Sequence, residues 1–128
     1  MKLLIAYYRP LARTIAWLGI LAIIFLSVVP ADDRPVTGVG SQFEHVAIFS
    51  GAAAAFAVGY EFSPIRLVLL AFFFCAGIEL LQLPLPTRHA RISDFVIDFS
   101  AACVAMGFIV FGKKAFGRQI QNNFGGSS

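Results

Sequence analysis

Residues 93–112 read Ser93-Asp94-Phe-Val-Ile-Asp98-Phe-Ser-Ala-Ala-Cys103-Val-Ala-Met-Gly-Phe-Ile-Val-Phe-Gly112. From Phe95 onward nearly every position is apolar, so a helix built from this run offers no face to water. Its length approaches the roughly 20 residues that cross the ~30 Å hydrocarbon core of a bilayer. The exception is Asp98, one turn beyond Asp94 and inside the run. Ionisable groups at such depth are expensive, and a functional site is their default reading.

Three further apolar runs precede this one: 11–29, which closes at Pro30; 43–60; and 65–83, which stops at Pro84. The pattern predicts an all-α fold, a membrane bundle of four transmembrane helices over residues 1–118, followed by a polar, Gly/Ser-rich tail over 119–128 expected to be disordered. Composition agrees. The 128 residues are 59% hydrophobic with 14 Phe, and only 13% are charged, against about 25% in soluble domains. The rival reading of the first run is a cleaved leader, with a basic start and small residues at Val29 and Ala31. The run is longer than a leader's apolar region, and Pro30 falls between the two cleavage determinants. Cys75 and Cys103 lie in mid-run and read as small apolar packers rather than a disulfide framework.

Lys and Arg set the orientation. Lys2, Arg9, Arg13, Arg66, Lys113, Lys114 and Arg118 fall on one side, and Arg34, Arg88 and Arg91 on the other. Seven against three puts both termini in the cytoplasm and the longer connections outside. Gly51, Ala55 and Gly59 recur every four residues, a stripe that lets helix backbones approach closely. Packing within the bundle is one reading; a homodimer contact is the other.

With four antiparallel helices the polar residues gather at the outer end. Glu44 and His45 open the second helix, Glu79 and Gln82 close the third, Arg88, His89 and Arg91 lie in the connection, and Asp94 and Asp98 open the fourth. At 1.5 Å per residue, Glu79 and Asp98 each sit about 6 Å inside their helix ends. Asp94 and Asp98 share a face and repel, so a cation, a protonated carboxyl or an arginine must offset them. Ser93 or Asp94 suits a helix cap. An ion pair to Arg88 or Arg91 is the structural reading of Asp98 and Glu79; a ligand site is the functional one. No metal-ligand spacing, phosphate loop or nucleophile elbow occurs, so no resident metal or cofactor is expected. The basic residues are too few and scattered for nucleic acid.

The spacing Glu79-x-x-Gln82, then Arg88, then Asp94, then a polar residue four later resembles that of the VanZ-like family of small integral membrane proteins. His45-Val46-x-x-Phe49 resembles the opening of that family's second helix, and Leu26-Ser27-x-x-Pro30 the end of its first. The likeness spans residues 26–107. Ser41-Gln42 stands where the family tends to have Asp-Lys, and Asp98 where it tends to have Asn. The resemblance implies a cell-envelope protein, since the founding member is associated with teicoplanin (glycopeptide) resistance; it implies no mechanism.

Three functions follow from these residues. In the first, Arg88 and Arg91 hold an anionic group of a membrane lipid or a lipid-linked cell-wall precursor, positioned by Glu79, Gln82, Asp94, Asp98 and His45. In the second, the carboxylates and His45 hold a metal or act as acid and base on a lipid-linked substrate. In the third, the cluster pins the connection and the protein acts by interaction. Binding is preferred to catalysis, because nothing in the sequence specifies a reaction.

Overall fold

Pro30, Pro64 and Pro84 mark places where helices begin or end, whereas Pro10 lies inside the first helix. Pro64 occupies the first position of a helix, where its missing N–H is no loss, and the preceding Ser63 is extended. Pro30 and Pro84 each follow two residues after a helix end and, lacking an N–H, cannot continue the helical hydrogen-bond ladder; Leu83, just before Pro84, is itself still right-handed helical. A computed structural model describes residues 2–30, 41–85 and 91–124. Within them run α1 (Lys2–Val28), α2 (Ser41–Gly59), α3 (Pro64–Gln82) and α4 (Ile92–Phe124). The chain is all-helical among the described residues.

Three of these helices are long and apolar enough to cross a membrane: Tyr7–Val28 in α1, Pro64–Gln82 as α3, and Ile92–Gln119 in α4. Their outward faces carry Leu21, Phe25, Phe73, Leu80, Phe108 and Phe111, all well exposed. So much large apolar surface outside the bundle marks a membrane protein, whose solvent is hydrocarbon. α2 is not among the three, with Gln42, Glu44 and His45 in its first turns and a middle of Gly and Ala. α4 continues to Phe124, so helix enters the stretch expected to be a disordered tail. No proline interrupts it, and the Gly125-Gly126 pair comes only after Phe124.

α2 packs most extensively against α1 and α4, while α3 rests mainly on α4 and more lightly on α1. Ile23, Phe49, Ala52, Cys75 and Ile78 form one buried cluster, and Ala57, Leu67, Ala102 and Met106 a second. An apolar cavity of about 230 Å³ touches both, reaching all four helices. Both cysteines are free thiols, Cys75 within the first cluster. Gly19 of α1 lies close over Ala52 of α2: a Cβ at Gly19 would be 3.0 Å from the Ala52 Cβ.

The far end of α2 is tied by cations. The last carbonyls of a helix have no partner within it and form the negative end of its dipole. Here Lys113 Nζ donates to the carbonyls of Ala57 at 2.7 Å and Val58 at 3.3 Å, and Arg13 Nε donates to Gly59 at 2.9 Å. Arg13 also lies over the Tyr60 ring, 4.9 Å from its centre. The Tyr60 hydroxyl accepts from Trp17 Nε1 at 3.0 Å. Arg9 pairs with Glu61 beside them.

The Gly51–Ala55–Gly59 stripe divides. Gly51 is exposed and a Cβ there would meet nothing within 4 Å, whereas at Gly59 it would lie 2.9 Å from Arg13 Cγ and 3.1 Å from the Arg13 backbone nitrogen. Gly59→Leu should therefore lower stability by about 1–3 kcal/mol, the usual cost of overpacking. Gly51→Leu should stay within about 0.5 kcal/mol of the parent. Thermal unfolding of the two variants in the same detergent makes the comparison.

Candidate functional site

α2 begins, α3 ends and α4 begins at one end of the bundle, and the structure brings four of the predicted residues together there. Asp98 is 3% exposed. Its Oδ2 lies 3.2 Å from Nδ1 of half-buried His45, so the bond joins α4 to α2. His45 also stacks on Phe49, ring centres 6.1 Å apart. Asp98 Oδ1 is buried and has no hydrogen-bond partner among the described residues. Buried polar atoms are seldom left so, and each such atom calls for an explanation.

Asp98 therefore pairs with His45 rather than with Arg91, as the sequence reading allowed. The reason is tertiary. α2 lies against α4 at this level, and a histidine one turn into α2 reaches a carboxylate one turn into α4. No local spacing announces that contact.

Glu79 also departs from the expected ion pair. Its Oε2 accepts the backbone N–H of Arg91 at 3.1 Å. Arg91 precedes α4, and its carbonyl accepts from the N–H groups of Asp94 at 3.0 Å and Phe95 at 3.3 Å. Arg91 is thus the cap residue, and Ser93 and Asp94 lie inside the first turn instead of capping it. A carboxylate accepting the cap residue's own N–H is half of a capping box; here α3 supplies it, latching the end of α3 to the start of α4. Ser93 Oγ donates to Asp94 Oδ1 at 3.2 Å, and Asp94 gains from the positive end of the α4 dipole. Glu79 is within electrostatic range of Asp94, Asp98 and His45. The repulsion expected between Asp94 and Asp98 is thus offset separately, by the helix end at one and by His45 at the other.

Gln82 is buried at this end, 6% exposed, and Arg91 is exposed. Arg88 lies outside the described residues. Among the described residues no three His, Cys, Asp or Glu side chains converge as a metal-holding group. Nor does any described carboxylate pair with the Arg91 guanidinium.

Two hollows open here. One, of about 410 Å³, lies between α3 and α4 and is lined by Ala76, Leu80, Leu83, Ile92 and Phe95, with Glu79 and Arg91 as its charged members. The other, of about 30 Å³, is lined by Ser27, Glu44 and His45 together with Ile23, Leu26, Ile48 and Phe49. Ser27 is 2% exposed, and its hydroxyl donates to the Ile23 carbonyl at 2.7 Å. In the sequence, Ser27 stands out only as part of a helix-end pattern. Its one signal was a hydroxyl near the close of an apolar run.

No family model, curated protein or solved structure matches the chain.

The His45–Asp98 bond is testable by a double-mutant cycle. His45→Ala strands a buried carboxylate and should cost on the order of 1–3 kcal/mol. Asp98→Leu removes the charge, and the double variant should be less destabilised than the sum of the singles, by on the order of 1 kcal/mol or more. Additive losses in detergent unfolding would mean that the pair contributes no coupling.

Proposed function

We propose that this chain is a VanZ-like multi-pass protein of the bacterial cytoplasmic membrane that binds an anionic group of a membrane lipid or lipid-linked cell-wall precursor at its outer face. The observation that carries this reading is the α3–α4 hollow. Its walls are apolar, its cation is Arg91, and the described acids leave that guanidinium unpaired. Glu79, the acid beside it, is engaged by the Arg91 backbone N–H. An amphipathic ligand fits such a surface, with hydrocarbon along Leu80, Leu83 and Phe95 and a phosphate at the guanidinium.

The four-span topology belongs to the same reading. α2 has 19 residues, about 28 Å of helix at 1.5 Å each, and runs against two helices that are themselves long and apolar enough to span. Its polar start is met by Asp98 and its last carbonyls by Lys113 and Arg13, so both ends have partners at the edges of the apolar layer. The seven-to-three distribution of Lys and Arg supports cytoplasmic termini and an outward Arg91. The resemblance to the VanZ-like family carries the link to glycopeptide resistance.

A second reading, acid–base work by His45 on a lipid-linked substrate, is favoured by one arrangement. Asp98 engages Nδ1, which fixes the ring, and His45 lines the small hollow shared with Ser27 and Glu44. His45→Gln separates the two readings: binding survives it, and any turnover of a retained lipid does not.

Native mass spectrometry of gently extracted protein tests the main reading. Phosphatidylglycerol, or an undecaprenyl-phosphate-type lipid added in trace, should be retained. Arg91→Gln should weaken retention by about fivefold or more, the worth of one interfacial cation near 1 kcal/mol. Arg91→Lys should restore it only in part if the phosphate is gripped by two N–H groups. Undiminished retention by Arg91→Gln would falsify the assignment of this hollow.

A further inference from the structure

Lys113 and Lys114 are adjacent in sequence and opposite in use. Lys113 turns inward and caps the end of α2 through the Ala57 and Val58 carbonyls. Lys114 is exposed and lies at a second groove in the α3–α4 seam, at the end away from Arg91. This groove encloses about 190 Å³ between Leu67 and Val68 of α3 and Gly107, Val110 and Phe111 of α4. Both helices are long and apolar enough to cross a membrane, so the groove meets hydrocarbon along its length and a cation at one end.

Gly107 shapes it. Glycine in the middle of a helix is unfavourable unless the space it leaves is used. A Cβ on Gly107 would meet no atom within 4 Å, so no neighbouring helix needs that space. What it leaves is the floor of the groove.

The charge around the mouth has one sign. Lys114 and Arg118 are one turn apart on α4 and share a face, and Arg66 is exposed near the start of α3. Glu61 is the acid at this end, and it is paired with Arg9. We propose that this groove is a second, separate lipid site: it takes an acyl chain of an anionic phospholipid against Gly107 and Phe111, with the phosphate at Lys114. Clefts between spanning helices that end in basic side chains hold acidic headgroups in this way. The site does not depend on the Arg91 hollow, which lies at the other end of the same two helices.

The test titrates the purified full chain in neutral detergent with phosphatidylglycerol and with phosphatidylcholine, reading bound lipid by native mass spectrometry. Phosphatidylglycerol should be preferred by the parent chain. Lys114→Gln should lower its retention by about fivefold, and Lys114→Arg should keep it. Gly107→Leu fills the groove against Leu67 and Val68 and favours the helix, so it should lower retention of both lipids without lowering the thermal unfolding temperature. Arg91→Gln, run in parallel, should leave the Lys114-dependent part intact. The proposal is overturned if Lys114→Gln and Gly107→Leu both retain phosphatidylglycerol like the parent. It is equally overturned if Gly107→Leu alone acts, because the groove then holds hydrocarbon with no headgroup preference.

Discussion

The hydrogen bond between His45 and Asp98 joins two helices at a place where a bare carboxylate would be hard to tolerate. An isolated acid within a spanning segment costs on the order of 2.5–3.5 kcal/mol on insertion scales. Asp98 is almost wholly buried, so its partner must come from protein. Meeting that demand fixes α2 against α4 in both rotation and height. With His45 beside Asp98, the next inward residues of α2 are Phe49, Ala52 and Ala57, and these are the ones found in the two buried clusters. The polar contact thus determines which face of a nearly uniform helix becomes its packing face.

That determination matters because α2 has little else to orient it. Its middle is Ala and Gly, with no broad apolar stripe set against a polar one. It is held at its ends and pressed close in its middle. Asp98 holds one end and Lys113 with Arg13 the other. Between them, Gly19 and Ala52 bring two backbones together. Hydrocarbon gives no hydrophobic drive for helices to associate, so close packing and a few polar bonds must do it. α3 is attached differently, by the Glu79 latch to Arg91 and by apolar contact with α4.

The helices were legible in the sequence because apolar runs and prolines are local signals. The runs 11–29, 43–60, 65–83 and 95–112 lie within or almost within the four helices, and the differences fall at the ends. α1 and α4 run further because polar residues outside the hydrocarbon can continue a helix. The gathering of Glu79, Asp94, Asp98 and His45 at one end was also legible, since antiparallel topology enforces it in depth. Their partners were not. Spacing along the chain suggested an arginine for Asp98, yet the residue it meets is 53 positions away. Arg13 and Lys113 read only as orientation charges; their capping of α2 depends on three helices meeting. The small-residue stripe misled for a similar reason. A four-residue period places Gly51, Ala55 and Gly59 on one side of α2, but the neighbours do not follow that side along the whole helix, so Gly51 is left outside.

The ends of this bundle are tied by polar contacts, and its middle, where α1 and α2 press close, still leaves a cavity towards α3; the solvent explains why that is stable. The apolar cavity of about 230 Å³ reaches all four helices. In a close-packed soluble interior an empty space of that size would cost about 5 kcal/mol at 24 cal/mol per Å³, a large part of a typical domain's 5–15 kcal/mol. Trp17 and Leu70 are both half-exposed and both line it, so the space opens at the light contact between α1 and α3 onto the surrounding medium. When that medium is hydrocarbon, chain atoms supply the missing dispersion contacts and the cost falls. Polar contacts cannot be replaced by lipid in this way. They sit at the ends, where His45, Glu79, Arg13 and Lys113 each meet a protein partner, and the middle is left to apolar side chains and the lipid around them.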